Sequence, residues 1–375
     1  MRQAVLLGNP GTKRTEYLRQ AAARAAVPVL FVDWTDYEGW IDNSKGNPDD
    51  RYFLKVDPPL WKSSSLEELD SLAGEYKGRL KRLERAAVRN SIEFLNTPLS
   101  IEELLDKRVC KARLAAVSLP VTETLQGWEE CPDSAMEKRL AGREVSAEES
   151  QPGGKLLEQM REQRVYQVFI KPINGSGAAG VSAFRWQPRT GRMALYTCSL
   201  DRPDIGLVNT KRLRRFSNPS EIIPLLDKLL GLGCIVERWY AKAEYQGYSY
   251  DLRAVVQEGN MDFLLARLSK GPITNLHLNN HPLGAAALGL PDGVLSAVEQ
   301  ICRKAVDCFP GLRCAGIDML LEKGSLRPRI IEMNAQGDLI YQDIYNGNVI
   351  YGHQIEMMKR WMENVPDGRK LEQEG

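Results

Sequence analysis

Two short stretches near the C-terminus, AGIDMLL at 315–321 and RIIEMNA at 329–335, constrain the fold more than any other part of the chain. Each has the length of one strand, and Gly324, Ser325 and Leu326 between them supply a turn, so together they read as a β-hairpin. Side chains two apart on a strand share a face, which aims Glu332 and Asn334 the same way. With the turn centred on residues 324–326, Asp318 stands directly opposite Glu332. Carboxylates so placed repel one another unless a cation lies between them. Two acids and a carboxamide offer hard oxygen donors, a set that suits Mg²⁺ with water or phosphate in its remaining positions. By itself the hairpin fits a polar, solvated face equally well, and a one-residue slip would turn these side chains to the other side.

A second hairpin carries the complementary charge. Residues 251–256 and 263–268 read as its strands. Asp251 and Arg253 share a face, and a turn around Gly259, Asn260 and Met261 sets Arg253 opposite Arg267. Two guanidiniums side by side make sense around a bridging anion, and bidentate Arg–phosphate contacts meet that need. A solvated sheet edge is the plainer alternative. Lys270, Asn275 and His277 follow in a stretch rich in side-chain donors. The third element is a strand ending at Lys171 that opens into the small residues of NGSGAAG at 174–180. Glycines there let backbone N–H groups approach phosphates, and Lys171 adds a point charge; an ordinary hairpin loop has the same composition.

The first hundred residues follow another pattern. An apolar run at 4–7, a Gly/Pro turn, a helical stretch at 16–26 and a second apolar run at 29–33 make a β-loop-α-β start, the opening of a parallel sheet covered by helices. The turn is not a P-loop, because Thr12 stands where that motif needs Gly before Lys13, and it is not G-x-G-x-x-G. Residues 64–94 are helical in period, with Leu66, Leu69, Leu72, Tyr76, Leu80 and Leu83 as the apolar stripe. Ser100, with Glu103 three residues on, reads as a helix cap near a domain boundary. Residues 128–164 are polar and read as a surface excursion. Strands then run over 166–171, 181–186, 193–197 and 234–239, with a helix over 219–230.

Composition narrows the class. The 375 residues exceed one ordinary domain. The net charge of +1 favours neither nucleic acid nor membrane through a global field, and no apolar run reaches the ~18–20 residues that span a bilayer. The N-terminal apolar run is too short for a signal peptide. Seven scattered cysteines without C-x-x-C pairing suggest reduced thiols and a cytoplasmic setting. Three histidines are too few for a His-based metal site.

In order along the chain, Lys171 with its glycine loop, Val236-Glu237-Arg238-Trp239, Asp251-Leu252-Arg253, Thr274-Asn275-Leu276-His277, and Gly316-Ile317-Asp318 with Glu332-Met333-Asn334 resemble the ATP-grasp superfamily. They look most like its RimK-type branch, which adds glutamate to protein or peptide carboxylates, including an uncharacterised bacterial RimK-like group. The resemblance implies a mixed α/β and α+β architecture: an N-terminal parallel α/β domain (1–100), a central or lid domain with the Gly-rich loop (101–235), and a C-terminal antiparallel-sheet domain (236–375), with nucleotide between the last two.

It also implies roles. Lys111 is the first nucleotide lysine, with Lys107 competing for that place, and Lys171 is the second. Ser176 and Gly177 cover the phosphates as a lid. Glu237, Arg238 and Trp239 form the hinge that receives adenine, and Asp251 faces the nucleotide. Arg253, Arg267 and Asn275 are catalytic, and Asp318, Glu332 and Asn334 hold Mg²⁺, for which Mn²⁺ can substitute. This chain departs from the branch at Ile273, where an arginine is usual, at Asn279 and Asn280 in place of glycines, and at Ala335-Gln336-Gly337-Asp338 in place of Ser-Pro-Gly. The implied activity is ATP-dependent ligation of a carboxylate to an amine through an acyl phosphate, on an amino acid or small peptide. Modification of a protein or peptide, or nucleotide binding without catalysis, are the alternatives. A dehydrogenase is disfavoured by the lack of a G-x-G-x-x-G turn.

Overall fold

The computed structural model describes residues 1–44, 49–60, 62–128, 151–174, 178–278, 280–336 and 347–363. The chain begins with β1 (Arg2–Gly8), α1 (Lys13–Arg24), β2 (Val29–Asp33), α2 (Tyr37–Asn43), β3 (Arg51–Val56), α3 (Leu66–Asn90) and β4 (Ile92–Phe94). The four strands form a parallel sheet in the order β2-β1-β3-β4. Ala4, Val5, Leu6 and Leu7 of β1 are at most 1% exposed, as expected for a central strand covered on both faces. Burying side chains of this size stabilises by ~1.5–3 kcal/mol each. On one face Val5, Leu7, Leu54 and Val56 meet Tyr76, Leu80 and Leu83 of α3. On the other, Ala4, Leu6 and Phe53 meet Leu18, Ala21 and Ala22 of α1.

Two helices follow, α4 (Pro98–Leu105) and α5 (Lys107–Ala116), and then α6 (Pro152–Glu162), β5 (Gln167–Pro172), β6 (Ser182–Gln187), β7 (Arg192–Arg202), β8 (Gly206–Phe216), α7 (Pro219–Gly231) and β9 (Cys234–Arg238). The cap of α4 is Thr97, whose side chain accepts from Ser100 N–H. Ser100 instead lies inside the helix, because Pro98 has no N–H to lose and sets the helical start one turn earlier. Of the polar segment 128–164, residues 129–150 lie outside the described residues, and α6 within it is not a surface excursion: it buries Leu156 and Met160 against Ile222, Leu226 and Leu229 of α7. The strands form an antiparallel sheet in the order β8-β7-β6-β5-β9. Its edge strand β8 was not legible in the sequence, since KRLRR at 211–215 breaks the apolar alternation that marks a strand.

The last part holds β10 (Glu244–Tyr245), β11 (Tyr248–Gln257), β12 (Asn260–Ser269), β13 (His281–Gly284), α8 (Asp292–Asp307), β14 (Cys314–Leu321), β15 (Pro328–Asn334) and α9 (Val349–Met362). The sheet runs β13-β12-β11-β14-β15, with β10 on β11. Leu252, Ala254, Ala266, Ile317 and Met319 pack with Val298, Cys302 and Val306 of α8, so the other face carries Asp251, Arg253, Arg267, Asp318 and Glu332. Helix α9 returns to the N-terminal sheet, where Tyr351, Ile355 and Met358 join Ala4, Leu6 and Phe53. No helix among the described residues is long and apolar enough to cross a membrane.

Candidate active site

The antiparallel sheets enclose one cavity, and each brings a cluster of buried charge to it. On the smaller sheet Phe169 and Lys171 of β5 share a face with Glu237 of β9, where Phe169 and Glu237 are cross-strand partners. Glu237 is 1% exposed. Its Oε2 accepts from Lys171 Nζ and from Thr122 Oγ1, each at 2.8 Å, and Oε1 lies 3.1 Å from Lys111 Nζ. Burial alone would push this carboxyl up, but the Lys111 and Lys171 ammoniums outweigh it and hold it below its ordinary value. Lys107 stands one helical turn before Lys111 and donates to Pro172 O at 3.0 Å. Burial lowers the pKa of both lysines. Lys107 lines the cavity, whereas Lys111 sits behind Glu237 and also donates to Thr122 O at 2.9 Å.

The larger sheet carries the second cluster. Asp318 lies opposite Glu332, and Gly316 opposite Asn334. This is the arrangement the hairpin pattern predicts, reached with a bulge after Asp318. The other hairpin corrects its expected register. Arg253 is opposite Leu265, not Arg267, and Arg267 is opposite Asp251. The cause is a tight turn at Glu258 and Gly259, both at positive φ, with a bulge between Val255 and Val256. The shift is two residues, an even number, so both arginines still share the face.

What lies between them is a carboxylate of the protein itself. Arg253 Nε is 2.9 Å from Asp318 Oδ1, and Arg267 Nη2 is 3.0 Å from Asp318 Oδ2. Arg267 also grips Asp251 through both oxygens, at 2.7 and 2.9 Å. Burial raises the Asp251 carboxyl, but Arg267 and Lys242 outweigh it and the pKa is lowered. Lys242 is the residue the sequence did not reveal, since it lies outside any alternating or glycine-rich motif. It is buried, donates to Thr274 Oγ1 at 2.8 Å, and is pushed down to about 8 by burial against the pull of Asp251. Thr274 in turn donates to Asp251.

Glu332 differs from its neighbours: among the described residues its side chain has no hydrogen bond or ion pair. Burial raises it, but Lys107, Lys171 and Arg253 outweigh this and keep it ionised. The Asn334 Nδ2 is buried without a partner among the described residues. No group of three or more His, Cys, Asp or Glu side chains there could hold a metal. A cation at this hairpin would therefore take oxygens from Asp318, Glu332 and Asn334 and complete its shell from water or phosphate. That chemistry fits Mg²⁺. The uncommitted Glu332 is the donor most available to it.

Of the remaining candidates, Arg238 and Asn275 line the cavity. Trp239 packs against Phe169 in a tilted contact, with ring centroids 5.3 Å apart and planes at 54°. The N–H groups of Arg238 and Trp239 are engaged by Glu123 O at 2.8 Å and Gln167 O at 3.0 Å. Ser176 and Gly177 lie outside the described residues. The cavity is about 80 Å³, below the ~300–1,000 Å³ of ligand pockets.

No family model matches the chain, and no curated protein matches it by sequence. Solved structures do. The macrocyclase MdnC from Microcystis aeruginosa MRC, bound with precursor peptide MdnA, aligns at TM-score 0.56 and 11% identity over 96% of this chain and 100% of that one. The ATP-grasp ligase PsnB, complexed with a minimal precursor, aligns at 0.53 and 12% over 95% and 98%. A D-alanine–D-alanine ligase from Bacillus anthracis, complexed with ATP, aligns at 0.50 and 13% over the full length of both. At such identities the likeness establishes architecture. The chain has the ATP-grasp fold.

Proposed function

We propose that this protein is an ATP-dependent carboxylate–amine ligase. One observation carries the reading: a lysine-rich cluster and an Arg/Asp/Glu cluster face the same cavity from two opposed sheets. The γ-phosphoryl group of ATP is transferred to a substrate carboxylate, giving ADP and an acyl phosphate; an amine then attacks the acyl carbon, and inorganic phosphate leaves. Lys107 and Lys171 hold phosphate oxygens as point charges. Arg253 and Arg267 exchange Asp318 for the transferring phosphoryl and the oxyanion that follows. Asp318, Glu332 and Asn334 hold Mg²⁺, or Mn²⁺ in its place, which when bound neutralises the charge developing on the phosphates. The protein otherwise contributes positioning and exclusion of water.

Within the fold, the order of motifs supports the RimK-type branch. The acceptor is an amino acid or a peptide. The peptide reading gains weight from the two structural neighbours described with precursor peptides. The dependence on ATP and the absence of a disulfide among the described cysteines fit a cytoplasmic setting. The test is phosphate release by purified protein with ATP, Mg²⁺ and panels of carboxylates and amines. Release is expected only when both partners are present; release indifferent to the panel overturns the ligase reading.

A further inference from the structure

Away from the cavity, the smaller sheet carries a groove of about 1000 Å³ lined by Arg185, Arg189, Arg192 and Arg215 together with aromatic rings, and by no aspartate or glutamate. All four arginines are exposed. Among the described residues none of them is ion-paired with a carboxylate. Two guanidiniums bracket one ring: Arg185 lies 5.6 Å and Arg215 5.9 Å from the centroid of Tyr196, and Arg185 also donates to Tyr196 Oη at 2.9 Å. Like charges gathered around one ring without acids repel each other, and an anion that lies among them relieves that repulsion.

Protection of a sheet edge explains basic residues on β8, but not Arg185, which is on β6 inside the sheet with neighbours on both sides. The groove is also joined to the cavity. Tyr196 and Trp239 have centroids 6.3 Å apart, Trp239 and Phe169 5.3 Å, and Phe169 lines the cavity. Leu213 of β8 packs over Gly271, so closely that a Cβ there would lie 2.9 Å from its Cδ2. That glycine begins the loop carrying Thr274 and Asn275.

The class of partner follows from β8. It is an edge strand, and the chain's own residues 64–65 add to its outer side, through a bridge of Ser65 to Val208 and Asn209 N–H donating to Ser64 O at 2.7 Å. Beyond that bridge, no described strand pairs with this edge. Backbone pairing along an edge is available to an extended polypeptide and not to a nucleic acid. We propose that the arginine groove and the β8 edge dock an acidic, extended polypeptide segment, which brings the group to be ligated to the mouth of the cavity. The docking role rests on the ligase reading above; the binding itself does not.

The experiment is fluorescence anisotropy on the full chain with labelled decaglutamate, decaglutamine and an oligothymidylate of equal length. Decaglutamate is expected to bind, more weakly as salt rises, and decaglutamine not to bind. Arg185→Glu with Arg215→Glu should weaken decaglutamate at least ~10-fold, the matching glutamine pair less, and Arg19→Glu on the N-terminal domain not at all. The double variant should keep phosphate release with small substrates. Unchanged affinity in the double variant, or oligothymidylate binding as tightly as decaglutamate, overturns the proposal. A protein inert toward ATP that still loses decaglutamate through the double variant overturns the ligase reading and supports the docking surface.

Discussion

The two ends of the cavity are built from similar numbers of cations and differ in what balances them. At one end Lys111 and Lys171 are ion-paired with Glu237, and Lys107 stands beside them, drawn first by Glu332 and then by Glu237; its three lysines outnumber the one carboxylate they pair with. At the other, Arg253, Arg267 and Lys242 meet Asp251, Asp318 and Glu332, and charge is balanced. The lysine end can accept a polyphosphate directly, because its ammoniums are compact point charges in excess. The arginine end is matched in charge by its own acids, although Arg253 Nη1 is buried without a partner among the described residues. On the ligase reading, it takes phosphate when a cation draws Asp318 away from the guanidiniums. Geometry reinforces the contrast, since planar guanidinium forks fix a carboxylate through two parallel bonds whereas a lysine does not.

The difference can be broken by experiment. The largest effect is expected at Glu237→Gln, which leaves buried lysines without their counter-ion and costs about 3–5 kcal/mol in urea unfolding. Asp318→Asn should cost less, because Arg267 keeps its double contact with Asp251; a reversed order would remove the contrast. Next, Glu332→Gln should cost less stability than either, having no described hydrogen bond or ion pair to lose. It should lower Mg²⁺-dependent phosphate release by at least ~100-fold, equivalent to about 2.7 kcal/mol. Full activity in that variant removes the proposed metal site.

Lys107 and Lys111 separate a cavity wall from its support. Lys107→Met should weaken ATP binding by about tenfold, or about 1.4 kcal/mol, in calorimetry. Lys111→Met should instead act mainly on stability, because Lys111 does not line the cavity and reaches it through Glu237 and Thr122. The smallest effect serves as a reference outside both ends. His353 is raised to about 9 by its hydrogen bonds to Asp262 and Glu258, against burial. With the folded value above the unfolded 6.5, its contribution is complete below pH 6.5 and is lost as pH rises to about 9. Stability should therefore fall over that window in the wild type and fall less in His353→Gln. An equal fall in both assigns the pH dependence to the cavity charges.

Much of this was legible beforehand. In the hairpin at 315–335 the alternation gives the register of Gly316–Asp318 against Glu332–Asn334, and the bulge after Asp318 shifts the pairing by one residue nearer the turn. In the hairpin at 251–268 the register differs by two residues from the expected one, since the turn lies at Glu258 and Gly259 rather than around residues 259–261; the bulge at Val255 moves the pairing one residue back toward the expectation. Strand β8 was hidden by its basic residues, and α6 by the polar segment around it. Lys242 carried no signal, because a lone lysine between a tyrosine and a strand resembles any surface lysine.

The sequence by itself determined which side chains share a face. Strand alternation is a local property of the backbone, and even a two-residue error in register left Arg253 and Arg267 on the side of Asp318. Only the tertiary structure decided which charge meets which. That Asp318 stands between the arginines, that Glu237 is shared by Lys111 and Lys171, and that Glu332 is left uncommitted depend on the order of strands in two sheets and on helix α5 behind them. These are contacts between residues tens to hundreds of positions apart, chosen by the burial of apolar faces on helices and neighbouring strands rather than by the charged residues themselves.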